Sequence, residues 1–141
     1  MRVYVDSSVL LRRVFGDPGS LRMWPSITAP VANELIRVEC FRSIDRARIL
    51  GRLTDEHVSD RRAAIHDALA TFDLVPIERR VLERAAEPFP TLLGTLDAVH
   101  LATALLIQDD VEELSFATHD DELATAARSV GFRVHGASAR P

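Results

Sequence analysis

Short β-prone segments alternate with helix-patterned stretches from one end of this chain to the other, and that alternation restricts the fold more than any other feature. Residues 2–5 (Arg-Val-Tyr-Val) read as a strand of β-branched and aromatic residues. Asp6-Ser7-Ser8 caps a helix that opens with Val9-Leu10-Leu11, and Gly16-Asp17-Pro18-Gly19 ends it. Residues 26–29 (Ser-Ile-Thr-Ala) form the second expected strand, and Pro30 starts a helix running to about Leu50. A helix over 54–71 follows, then a strand over 73–77 that Pro76 confines to a short or edge position. A short helix over 78–86 leads to a Pro-rich loop at 88–90. The apolar stretch 95–108 predicts a long helix, 115–118 a strand, 120–130 a helix with Gly131 at its C′ position, and 132–135 a last strand. Such alternation calls for a parallel sheet with helices on both faces. Sites in folds of this kind sit beyond the C-terminal ends of the strands. Asp6 and Asp120 stand at two such ends.

At 141 residues and 47% hydrophobic, the chain can bury about 70% of its unfolded surface. One domain over residues 1–141 is therefore expected, with no disulfide or structural metal needed. The single Cys40 excludes a disulfide framework and a multi-cysteine zinc site. No apolar run approaches the ~18–20 residues of a membrane span. Asp6 interrupts the N-terminus before a signal-peptide core can develop, so a reduced, soluble, cytoplasmic protein is expected. All 17 basic residues are Arg. Without Lys there is no Walker A loop and no pyridoxal Schiff base, and the glycines at 16, 19, 51, 94, 131 and 136 do not spell a dinucleotide fingerprint. The net charge of −4 is uneven: residues 1–84 hold 14 Arg and 12 acids, residues 85–141 hold 3 Arg and 9 acids. Bulk charge does not point to nucleic acid, but it leaves room for an Arg-lined surface beside an acidic site.

Four acids stand out. Asp6 can cap the first helix, Asp97 can favour the dipole of helix 95–108, and Thr118 with Asp121 loosely matches a capping box that would make Asp120 one more first-turn acid. Glu39 resists so ordinary a reading. At 100° per residue it falls within the apolar face formed by Ala32, Leu35, Ile36, Cys40, Ala47 and Leu50, whereas Glu34 lies on the opposite side. An acid on a buried stripe is costly unless it is paired or binds a metal; Arg42 and Arg46 are the candidate partners on its own helix. Asp97 opens a helix that is apolar nearly all round. Acids gathered in one pocket raise one another's pKa values, and the usual compensation is a hard divalent cation such as Mg²⁺ or Mn²⁺. The histidines form no metal-binding cluster in sequence; His100, one turn beyond Asp97, reads as a satisfied structural residue at the rim of that pocket. Ser7 and Thr118 read as helix caps or as partners of a metal-bound water, and Asp6-Ser7-Ser8 lacks the second Asp of a D-x-D phosphatase loop.

The pattern as a whole resembles the PIN-domain ribonucleases. Val3-Tyr4-Val5-Asp6-Ser7-Ser8-Val9-Leu10 is similar to the opening of that family, and Glu34-Leu35-Ile36-Arg37-Val38-Glu39 to its second acidic motif. Leu96-Asp97-Ala98-Val99-His100-Leu101-Ala102-Thr103-Ala104 resembles the third and most specific motif, and Phe116-Ala117-Thr118-His119-Asp120-Asp121-Glu122-Leu123 the fourth. Length and organisation look most like a VapC-type toxin of a bacterial toxin–antitoxin pair. The resemblance implies a three-layer α/β/α sandwich around a mainly parallel sheet of four to five strands. It also implies endoribonuclease activity dependent on Mg²⁺, with Mn²⁺ able to substitute, and catalytic and metal-holding roles for Asp6, Glu39, Asp97 and Asp120. The fourth motif leaves open Asp120, Asp121 or Glu122 as its ligand. RNA as substrate, a cognate VapB-like antitoxin that delivers an Arg to the acidic groove, and a homodimer are implied in the same way. The alternatives are a non-catalytic PIN-like module that binds RNA or protein, and a metal-dependent hydrolase of small phosphoesters.

Overall fold

The computed structural model describes residues 1–110 and 113–137. Its elements run β1 (Arg2–Val5), α1 (Ser7–Val14), a short 3-10 turn (Trp24–Ser26), β2 (Ala29–Asn33), α2 (Leu35–Ile49) and α3 (Asp55–Leu69). They continue with β3 (Asp73–Val75), α4 (Arg79–Ala86), α5 (Thr95–Gln108), β4 (Ser115–Ala117), α6 (Asp121–Ser129) and β5 (Val134–His135). All neighbouring strands are parallel, in the order β3-β2-β1-β4-β5. The expected sandwich with a parallel sheet is therefore the observed architecture, with five strands. Among the described residues no helix is long and apolar enough to cross a membrane.

Central β1 separates the two cores through its period-2 alternation. Val3 and Val5 enter a cluster with Val9 and Leu10 of α1, Ile36, Cys40 and Ile44 of α2, and Ile65 of α3. Tyr4 points the other way, into a cluster with Leu101 and Ala104 of α5, Phe116 of β4 and Leu123 of α6. The Tyr4 ring stacks on Phe116 with centroids 5.1 Å apart. Helix α4 docks onto α5 through Val81, Val99 and Ala102. Full burial of such side chains contributes about 1.5–3 kcal/mol each, which is why strand residues with no exposure at all form the centre of the sheet.

Three boundaries differ from the expectation: those around Pro30, the end of the strand over 73–77, and the last strand, which is Val134–His135 rather than 132–135. The second strand is not 26–29 but Ala29–Asn33, and α2 starts at Leu35 rather than at Pro30. Pro30 suits a helix start, and Val31-Ala32 is a short apolar run that either element accepts. The sheet tolerates the proline because Pro30 lies opposite Val3 of β1, whereas pairing with β3 begins only at Val31. On the β3 side no neighbouring strand asks Pro30 for an N–H. Residues 26–28 enter the 3-10 turn and the approach to β2 instead. The strand over 73–77 ends at Val75, at the sheet edge where Pro76 belongs.

Candidate active site

The site lies where the sheet's C-terminal ends meet the N-terminal turns of α1, α5 and α6. Val5 pairs with Ala117 in register, and the Asp6 N–H donates to the Ala117 carbonyl at 2.9 Å. The residues following β1 and β4, Asp6 and Thr118, are thereby set side by side. Asp6 is the N-cap of α1, accepting from the Ser8 N–H, so its capping role is real. Its Oδ2 also accepts from the Ser8 hydroxyl and from Thr118 Oγ1, the latter at 3.0 Å. Three donors hold that oxygen inside a residue only 3% exposed. Oδ1 faces the ring of His100, 4.0 Å from Nε2.

The Thr118 hydroxyl does not cap α6 as the loose capping box suggests. It donates to Asp6 and accepts from the Asp120 N–H at 3.0 Å, and Asp120 itself caps α6, accepting from the Leu123 N–H at 2.8 Å. Ser8 Oγ in turn accepts from the His119 N–H at 3.0 Å. Gly136 completes this corner: at φ +98° it brings β5's exit so close that a Cβ would sit 2.7 Å from the Thr118 carbonyl. Only glycine accepts both that conformation and that approach.

Glu39 and Glu34 diverge as the helical projection requires. Glu34 is exposed and pairs with Arg37 at 3.4 Å. Glu39, with 19% of its side chain exposed, turns inward, and its Oε2 accepts from His100 Nε2 at 2.7 Å. Neither Arg42 nor Arg46 pairs with it among the described residues. The expected partner on its own helix is replaced by a histidine 61 residues away. Asp6, Glu39 and His100 each bring a ligand atom within 4.8 Å of the others. Spacing in the sequence could not place His100 in that group; the signal available was its position one turn after Asp97.

Asp97, half-buried in the first turn of α5, has its carboxyl pushed up to about 6. Burial is the main cause; the charges of Asp6, Asp120 and Glu39 add to it, and His100 opposes them. Of Asp120, Asp121 and Glu122, only Asp120 is among those charges. Asp121 and Glu122 instead line a separate hollow with Thr91 and Leu92. His100 feels burial most, which lowers its pKa, but the Glu39 hydrogen bond and the charges of Asp6, Glu39 and Asp97 together leave it raised. Among the described residues no arginine pairs with Asp6, Glu39, Asp97 or Asp120. Convergent acids offset by one histidine and by no arginine among the described residues are a donor set that fits a hard divalent ion.

The sign of the pH effect in the ion-free protein follows. Asp97 holds a proton in the fold that the unfolded chain releases, so its stabilising share is lost as pH rises from the ordinary 3.8 through about 6. The share of His100, also raised, is lost above its ordinary 6.5. With chelator present, the melting temperature is expected to rise as pH is lowered from 8 to 5.5, and Asp97→Asn to flatten the trend. A melting temperature that climbs with pH over this range contradicts the assignment.

A groove of about 620 Å³ opens beside the acids, walled by Ser7, Glu39, Arg42, Ser43, Arg46 and Leu50. Cys40, one residue from Glu39, faces away into the core, where burial, with Glu39 and Asp6 adding, pushes its thiol up to about 12.

Comparison with known proteins agrees with this architecture. The PIN domain family model matches residues 3–129. Ribonuclease VapC46 of Mycobacterium tuberculosis is 36% identical over 134 residues, covering 94% of this chain and 95% of its own. Ribonuclease VapC47 of the same species is 27% identical over 131 residues, covering 92% and 93%. Among solved structures, VapBC2 from Rickettsia felis bound to a DNA fragment of its promoter superposes with TM-score 0.65 at 8% identity, covering 96% of this chain and 98% of that one. A toxin–antitoxin complex from Klebsiella pneumoniae superposes with TM-score 0.60 at 19% identity, covering 86% and 90%. At those identities the structural likeness is one of fold. With a five-stranded parallel sheet whose neighbouring strands β1 and β4 lead into Asp6 and Thr118, and a family match over residues 3–129, the chain belongs to the PIN domain family.

Proposed function

We propose that this protein is an Mg²⁺- or Mn²⁺-dependent endoribonuclease of the VapC toxin type, acting in the cytoplasm and restrained by a VapB-type antitoxin. The observation that carries the reading is the grouping of Asp6 and Glu39 beside Asp97, on which Asp6, Glu39 and Asp120 all press their charge, without an arginine partner, in a chain 36% identical to a protein named as a ribonuclease. These four residues would hold the ion, directly or through water, with Asp120 favoured over Asp121 and Glu122 by its charge on Asp97. When bound, a hard divalent ion supplies Lewis acidity at a phosphate and lowers the pKa of water.

The chain's own groups supply the rest. Ser8 and Thr118 fix Oδ2 of Asp6, while Oδ1 accepts from the Ser7 hydroxyl at 3.4 Å and faces His100. Arg42 and Arg46, one turn apart on α2, wall the groove beside Glu39 and offer charge to RNA phosphates. The same acids suit an arginine brought by an antitoxin, since charge-assisted carboxylate pairs with Arg are strong and bidentate. A homodimer belongs to the same proposal; Leu82, Leu92 and Leu96 are exposed apolar residues available to an interface.

The test is RNA cleavage by purified protein after chelation, with Mg²⁺ or Mn²⁺ restored, beside mononucleotide phosphoesters as competing substrates. Cleavage of RNA that chelation abolishes and either ion restores is the expected result. Hydrolysis of the small phosphoesters alone points to the small-substrate hydrolase, and binding of RNA without cleavage under any ion points to a non-catalytic module.

A further inference from the structure

We propose that His100 is a positioning residue for Glu39, and that Tyr4 and the Asn33 backbone fix which of its ring nitrogens faces the acid. The proposal rests on the metal-site reading above. Helix α5 is apolar nearly all round, yet at its first inward turn it carries an imidazole with no exposure. Both ring nitrogens are engaged: Nε2 lies 2.7 Å from Glu39 Oε2, and Nδ1 lies 3.0 Å from the Tyr4 hydroxyl. The Tyr4 hydroxyl accepts from the Asn33 N–H at 3.2 Å. Having accepted there, it has its own proton to give to Nδ1. A ring that accepts at Nδ1 carries its proton on Nε2, the nitrogen facing Glu39. A doubly protonated ring presents the same Nε2–H.

Asn33 is itself held. Its amide donates to Thr103 Oγ1 at 3.0 Å, and its side-chain oxygen accepts from the Leu35 N–H at 3.0 Å. The relay therefore starts at the end of β2, passes through β1 and α5, and ends on α2. Every member except Glu39 is fully buried. The consequence for Glu39 is directional. On an isolated helix a Glu finds its natural partner three or four residues away, and Arg42 stands three residues on in the same groove. The Nε2–H holds Oε2 toward Asp6 instead, and Oε1 has no hydrogen bond among the described residues. A histidine donating to a ligating carboxylate orients it and favours its ionised, ion-binding form without contacting the ion. At 4.0 Å, Nε2 is beyond hydrogen-bond range of Asp6, so its proton serves Glu39.

Two measurements on the full chain test this. In ¹⁵N NMR of the histidine rings, His100 is expected to keep its Nε2 proton in the metal-free protein and after Mg²⁺ is added. Loss of that proton on adding Mg²⁺ makes His100 a direct ligand and overturns the proposal. In Mn²⁺ titrations, His100→Leu is expected to weaken binding about 10- to 100-fold. His100→Gln places an amide N–H near the same point and is expected to recover most of that loss. A Gln variant as weak as a folded Leu variant, or a Leu variant that binds like wild type, overturns the proposal. If His100→Leu does not fold, Tyr4→Phe, which removes only the hydroxyl, is expected to weaken Mn²⁺ binding in the same direction, and unchanged binding overturns the relay. A wild type that keeps the Nε2–H yet ignores Mn²⁺ sinks the metal-site reading rather than the relay.

Discussion

Asp97→Asn is expected to lower RNA cleavage by about 10³-fold, or ~4 kcal/mol of activation free energy, while the protein stays folded and melts no lower at neutral pH. The two parts come from one feature. Asp97 pays for its place in the pocket: burial and the neighbouring charges of Asp6 and Asp120 push its carboxyl up to about 6, so at pH 7 its ionised form is held against repulsion. An isosteric amide removes that repulsion and so relaxes the ion-free fold. The same amide cannot supply the anionic oxygen that a hard divalent ion prefers. Cleavage assays and thermal melts on the same preparations check both halves. Near wild-type cleavage by Asp97→Asn in Mg²⁺ or Mn²⁺ would remove this residue from the site.

The second large effect separates two glutamates that lie five positions apart. Five residues at ~3.6 per turn correspond to about 140° around the axis, and the two side chains do part company, Glu39 toward His100 and Glu34 toward solvent. Glu39→Gln keeps an oxygen to accept from His100 Nε2 but loses its charge. It is expected to cut cleavage by about 10²-fold or more, roughly 3 kcal/mol, and to abolish most of the thermal stabilisation that Mn²⁺ gives. Melting without the ion should change little. Glu34→Gln loses only an exposed pair with Arg37, and a change within ~0.5 kcal/mol with full activity is expected. An active Glu39→Gln protein, or a folded but inactive Glu34→Gln one, overturns the reading.

Local signals made much of the fold legible. Arg-Val-Tyr-Val carries the β-branched and aromatic character of a buried strand, and the apolar run 95–108 is long enough to be a helix and little else. The segment 26–33 was ambiguous because Pro30 satisfies a helix start and a strand end equally well. Pairing with β1, about 27 positions back, and with β3, about 40 positions on, decides between them. Glu39 and Asp97 stood out for a similar reason: an ionisable residue on an apolar face conflicts with its surroundings, and that conflict is visible within one helix. Their partners did not. The His100 bonds to Glu39 and Tyr4 span 61 and 96 residues, and a buried histidine on an apolar helix looks the same in sequence whether it touches a ligating carboxylate or a backbone carbonyl. Thr118 misled in the same way. Its hydroxyl fits a local cap, yet it goes to Asp6 across the sheet.

Cys40 carries a consequence of a different kind. Oxidants and alkylating reagents attack the thiolate, and this thiol, held near 12 in the packed core beneath Glu39, is almost never ionised. The chain has no other cysteine, so thiol reagents can reach the layer beneath the acidic centre only through Cys40. Modification must wait for α2 to lift from the sheet, which makes the rate of thiol labelling a clock for that opening.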